Sequence, residues 1–295
     1  MTALAGGRLR GYSPGWETRV GALLLMLAGA AGVMLLPRVF GDPQGVDPDV
    51  WRLTAYFACL SAWTLALGRL RRLAPLALAL LTLTFPYSLW MWLLGYQGPL
   101  SSWLGAPYGL LRNALSGAAW LLAALLLALA FRLLVPSPRP RLRILTRPTL
   151  GALLLGLGVS ALFLVIAFAL PAGLIGRQGV PLLALGGSAG AALGFANAAQ
   201  AVAQEVQFRG VLLGALEREL GRRGALVAQA LIFGVAHIAI QYQGPAESFI
   251  PIVILLGLIW GWMTQRTQSI IPAAMVHVIA ELFLLATIVS GLYGS

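Results

Sequence analysis

Four ionisable side chains sit where an apolar sequence should not hold them. Glu205, His237, His277 and Glu281 all lie inside long hydrophobic runs. His237 and His277 are the only histidines in the chain, and the other seven of its nine acidic residues fall in loops or near the ends of runs. An ionisable group at the centre of a bilayer costs ~2.5–3.5 kcal/mol or more on insertion scales, so such groups are read first as functional. Their spacing adds to the case. Glu205 and Arg209 are four residues apart, as are Phe233 and His237, and His277 and Glu281. On a helix each pair shares one face. With the cytoplasmic ends of these runs near residues 216, 224 and 270, a rise of 1.5 Å per residue puts all four groups at a depth of roughly 10–20 Å. Each has a bland reading taken singly: Glu205 pairs with Arg209 near the interface, a membrane histidine hydrogen-bonds a neighbouring helix, and Glu281 neutralises a neighbour. Their joint confinement to the last third of the chain favours one shared intramembrane site.

The chemistry open to such a set is narrow. A carboxylate beside a histidine holds and deprotonates a water, and a second histidine donates to a developing oxyanion. Two histidines and a carboxylate can instead hold zinc with a position left open for water, with His237, His277 and Glu281 as the candidates. Both routes lead to hydrolysis of a carbonyl compound. No Ser or Cys is visibly paired with the histidines, which argues against a covalent nucleophile. Beyond this zinc alternative, no cofactor is called for.

The elements that must carry these residues are membrane spans. The chain has 295 residues, 59% of them hydrophobic and only 10% charged, with a mean hydropathy of +0.87. Repeated apolar runs approach the ~20 residues needed to cross a ~30 Å hydrocarbon core. They fall at about 20–36, 51–68, 73–95, 114–134, 149–170, 184–208, 225–242, 249–265 and 270–292, which predicts an all-α polytopic bundle of about nine spans. The run after Arg19 is long for a signal peptide and lacks a small-x-small cleavage site, so it reads as a retained first span.

The net charge is +11 and all twenty basic residues are Arg. They lie between the apolar runs rather than on a solvated basic face, which excludes a nucleic-acid partner and makes charge a topology marker. Arg8, Arg10 and Arg19, then Arg69, Arg71 and Arg72, then Arg139, Arg141, Arg143 and Arg147, then Arg218, Arg222 and Arg223, then Arg266 mark alternate loops. Asp42, Asp47, Asp49 and Glu247 mark the loops between. The positive-inside rule then puts the N-terminus in the cytoplasm, and the chain reads as an integral protein of a bacterial plasma membrane. The Pro- and Arg-rich stretch Pro136–Pro148 is the best internal boundary. It separates N-terminal spans, residues 1–135, from a motif-bearing domain, residues 149–295. No internal repeat supports a transporter, and no Walker A or dinucleotide motif appears. The lone Cys59 reads as a small buried residue within a span.

Three ordered segments carry a resemblance. Gln204-Glu205-Val206-Gln207-Phe208-Arg209-Gly210, then Phe233-Gly234-Val235-Ala236-His237, then His277-Val278-Ile279-Ala280-Glu281 resemble the motifs EExxxR, FxxxH and HxxxN of the CPBP family. These are CAAX prenyl-protease and bacteriocin-processing intramembrane glutamic proteases. The resemblance covers about residues 204–282 and includes Leu212–Leu220, Gly257–Gly261 and Ser269–Pro272. It implies a membrane-embedded endopeptidase acting on a membrane-associated peptide or prenylated protein, in contact with lipid. Carried over residue by residue, His237 matches the histidine that orients water and His277 the one that binds the oxyanion. Glu205 matches the second glutamate and Arg209 the motif arginine. Two positions depart: Gln204 stands where the family has its water-activating glutamate, and Glu281 where it has an asparagine. The departures leave three readings. A rewired site uses Glu281, or alternatively Glu205, as its base. A pseudoprotease keeps the fold as a membrane scaffold or immunity protein. A third use of the polar cavity is movement of a proton or solute.

Overall fold

The computed structural model describes residues 16–39, 46–67, 70–94, 100, 110–135, 143–144, 146–169, 188–237 and 246–293. Every regular element among them is helical. In chain order these are α1 (Trp16–Val39), α2 (Val46–Ala66), α3 (Ala74–Leu94), α4 (Leu110–Leu134), α5 (Leu150–Ala169), α6 (Ser188–Glu205), a π-helical segment (Val206–Leu212), α7 (Leu213–Ala236), α8 (Ala246–Thr267) and α9 (Ile271–Tyr293). Each expected span overlaps a helix, while the parts of these spans at 68, 95, 170, 184–187 and 238–242 lie outside the described residues.

Among the described residues four helices are long and apolar enough to cross a membrane: Arg71–Leu94, Asn113–Leu134, Leu150–Ala169 and Ile250–Thr267. The exposed side chains fit that solvent. Leu122, Leu126, Leu129 and Leu133 of α4 and Leu150, Leu154, Leu157 and Val165 of α5 all point outward, an arrangement stable only where lipid covers it. The chain is an all-α integral membrane protein. Cys59 departs from expectation: it is exposed on α2 rather than buried, on the same kind of lipid-facing surface as its neighbour Trp63.

Small residues make the closest helix contacts, because in lipid two helices gain from packing chiefly when their backbones approach closely. On α6, Ala192, Ala196, Ala199 and Ala203 follow the i, i+4, i+7, i+11 pattern of one face. This face meets α4, where a Cβ on Gly117 would lie 2.7 Å from the Ala196 Cα. The second half of α7 meets α8 in the same way: a Cβ on Gly257 would lie 3.1 Å from the Ala230 Cα. A third small residue, Gly156 of α5, lies against Pro272 of α9. α9 also packs on α6 and α8, which brings the motif-bearing helices together.

Two details of the Ser188–Ala236 stretch matter for the site. First, the span expected to end near 208 continues as helix. Leu212, Leu213 and Leu216 are fully buried, so the apolar face runs on past Arg209 and holds the segment in helical form. The loop expected between spans six and seven shrinks to one residue, Gly221, at φ 70 and ψ 174. Second, the ladder slips by one residue just after Glu205. The Leu213 N–H bonds to the Phe208 carbonyl, five residues back, which closes the π segment. Such bulges concentrate at functional positions in helices.

α8 ends at Thr267, and the next residue, Gln268, adopts a left-handed φ of 57. Thr267 Oγ1 and Ser269 Oγ accept from the N–H groups of Ser269 and Ile271, and Pro272 occupies the first turn of α9. A side-chain acceptor followed by Pro is a helix-start signal, and here it fixes where His277 begins its approach to the core.

Candidate functional site

Arg209 and Glu205 form the base of the cluster, both wholly buried. Arg209 donates from Nη1 to Glu205 Oε1 at 2.8 Å. His277 of α9 donates from Nδ1 to the same oxygen at 2.7 Å. Its other nitrogen, Nε2, faces Glu281 Oε1 one turn further along α9, at 3.6 Å. Four ionisable groups thus run in a line, Arg209, Glu205, His277 and Glu281, from the sealed core to a carboxylate whose side chain is 26% exposed. The gradient in burial separates the two glutamates. Glu205 has one oxygen committed to two donors and no exposure. Glu281 is reachable.

Aromatic rings fix the line laterally. The His277 ring stacks on Trp260 of α8 at 4.2 Å between centroids and 23° between planes. The Arg209 guanidinium lies 4.4 Å from the Phe233 centroid and 5.2 Å from that of Trp260. A cation over an aromatic face is favourable, and more so away from water. Phe233 also meets Phe208 edge-on at 4.9 Å.

His237 joins the cluster through Phe233. Its ring centroid is 4.4 Å from the Phe233 ring, which lies 6.0 Å from His277 on another side. His237 Nδ1 is 2.7 Å from the Phe233 carbonyl. A carbonyl only accepts, so Nδ1 carries the proton and Nε2 presents a lone pair. Gln204 is buried, and its Oε1 makes no hydrogen bond among the described residues. It takes no direct part in the chain of contacts linking Arg209 to Glu281.

The set His237, His277 and Glu281 is not gathered as a metal site. Among the described residues no three His, Cys, Asp or Glu side chains converge to hold an ion. Two ring nitrogens are already engaged, His237 Nδ1 by its own helix and His277 Nδ1 by Glu205.

Residues 187–283 match the family model for Rce1-like type II CAAX prenyl endopeptidases. The match covers about a third of the chain, from the start of α6 well into α9. It contains all three motifs, so the CPBP resemblance read from them holds. No curated protein and no solved structure matches the chain. The similarity of residues 187–283 to these endopeptidases supports peptidase activity in general.

Trp260 is the contact sequence reasoning missed. It sits in the segment Gly257–Gly261, one of those that carry the resemblance, between glycines that let α7 approach. Its 2% exposure sets it apart from exposed tryptophans such as Trp63 and Trp92. A tryptophan between two close-packing glycines was the available signal.

Proposed function

We propose that the chain is a membrane-embedded endopeptidase of CPBP type that hydrolyses a peptide bond of a membrane-associated or prenylated substrate by direct attack of water. The observation that carries this reading is the placement of Glu281. It is the one partly exposed carboxylate beside His277 Nε2, whereas Glu205 is sealed and held by Arg209 and His277. This favours Glu281 over Glu205 as the base that replaces the glutamate absent at Gln204.

In this mechanism Glu281 takes a proton from water while the lone pair on His237 Nε2 orients it. The water oxygen bonds to the scissile carbonyl carbon. His277, doubly protonated with Nδ1 donating to Glu205, donates from Nε2 to the carbonyl oxygen as negative charge develops there. The proton held by Glu281 passes to the departing amine as the C–N bond breaks, giving a carboxylate and an amine. Arg209 holds Glu205, and Glu205 holds the His277 ring. The work would take place in a bacterial plasma membrane with the N-terminus in the cytoplasm, as the alternating Arg-rich loops suggest.

The test is cleavage of a panel of membrane-anchored reporter peptides, farnesylated and unmodified, by purified protein. Cleavage by the wild type that is lost in His237→Ala is the expected result. A second reading, a pseudoprotease serving as scaffold or immunity protein, draws on Gln204, whose amide cannot accept a proton as a base. That reading is favoured if the wild type is inert and Gln204→Glu gains activity.

A further inference from the structure

Pro86 lies inside α3. A proline has no N–H, so the carbonyl four residues earlier loses its helical partner. In α3 this is the carbonyl of Thr82. Gln207 supplies the donor instead: its Nε2 reaches the Thr82 carbonyl at 2.5 Å across 125 residues of sequence. Both residues are almost wholly buried, so water cannot easily substitute on either side.

Gln207 lies in the π segment, midway between Glu205 and Arg209. Both α3 and α4 pack against that segment. The linker after α4 adds two further holds. Ile144 fills the space beside Gly210, where a Cβ would come within 2.6 Å of its Cγ1. Its neighbour Arg143 donates to Glu217 Oε2 at 2.8 Å, just beyond the segment. The N-terminal half therefore grips the stretch that carries Arg209, and its most deeply buried hydrogen bond among those named is made possible by Pro86.

We propose that Gln207 is a positioning residue. Its bond to the carbonyl freed by Pro86 fixes the rotation of the π segment, and with it the Arg209–Glu205–His277 array. The four N-terminal spans thereby gain a role in the site. The activity part of this inference rests on the peptidase reading above; the coupling itself does not.

The experiment compares full-length wild type, Gln207→Met, Pro86→Ala and the double variant in lipid nanodiscs. Gln207→Met strands the Thr82 carbonyl and should lower the thermal midpoint. Pro86→Ala in that background returns an N–H to the carbonyl, so the double variant should melt above Gln207→Met. Strictly additive midpoints would overturn the hydrogen-bond coupling. Positioning is read separately, by hydrogen–deuterium exchange of peptides covering 204–213. Exchange there should rise in Gln207→Met and stay raised in the double variant, where α3 is repaired but the segment is still unanchored. Exchange that returns to the wild-type level with stability would reduce Gln207 to a structural filler and sink the proposal. Where the wild type cleaves a reporter peptide, kcat should fall about tenfold in both Gln207→Met and the double variant, with KM little changed, at a temperature where all are folded. A kcat restored in the double variant would equally count against positioning. If the wild type cleaves nothing, the peptidase reading fails, and the exchange and midpoint results still decide this one.

Discussion

At the scale of single residues the two glutamates sit in different surroundings although both lie in apolar helices. Glu205 answers a buried guanidinium. Removing one partner of a buried ion pair leaves the other charge uncompensated and costs about 3–5 kcal/mol. Glu205→Gln should therefore lower the thermal midpoint sharply, because Arg209 is fully enclosed. Glu281 is partly exposed and meets His277 only at 3.6 Å, so Glu281→Gln should leave the midpoint close to wild type. Turnover of a cleaved reporter should fall by at least ~10²-fold in Glu281→Gln, as expected for loss of a general base. A Glu281→Gln variant that cleaves at the wild-type rate would move the base elsewhere. The sequence made this pair visible as charges out of place. It could not rank them, because exposure depends on which helix face closes over each one.

At the scale of elements, the helices were legible because their apolar runs are long and bounded by arginine. Two features were not. The π slip after Glu205 leaves the residue types unchanged, and only the shifted hydrogen bond from Leu213 reveals it. The tight corner at Gly221 was read as a loop because Arg218, Arg222 and Arg223 cluster around it. Helix in fact continues on both sides, and Arg222 Nη2 ties the corner to the Gln265 carbonyl of α8 at 2.9 Å. Gly221 itself has backbone angles that residues with a Cβ rarely adopt. Nothing lies within 4 Å of a Cβ built there, and the same holds for Gly158 on α5. The two positions therefore isolate backbone from packing. Gly221→Ala should destabilise by about 1–3 kcal/mol. Gly158→Ala, in an ordinary helical conformation, should be neutral or stabilising by about 0.5–1 kcal/mol. Thermal midpoints of the two variants measured side by side check the contrast; equal shifts would mean that Gly221 is not holding the corner.

At the scale of the molecule, the question is whether the division into N-terminal spans, residues 1–135, and a motif-bearing domain, residues 149–295, is a division into units that fold alone. The Rce1-like match begins at residue 187, which on its own favours an independent C-terminal unit. The packing argues otherwise. The small-residue face of α6 is filled by α4, and the π segment by α3, α4 and Ile144. Without them, Ala199, Ala203 and Gln207 would face lipid, and Gln207 would lose its hydrogen bond to the Thr82 carbonyl. In hydrocarbon an unpaired amide is costly, and a stripe of alanine offers lipid no tight packing. A chain beginning at Arg139 should therefore insert but remain protease-sensitive and unable to bring His277 against Glu205. Co-expression with residues 1–138 as a separate chain should restore a complex that purifies intact. It should also restore hydrogen-exchange protection of 204–213 and any cleavage activity the whole protein has. A fragment from Arg139 onward that is protected at 204–213 by itself would show that the N-terminal spans are an addition to the site rather than part of its support.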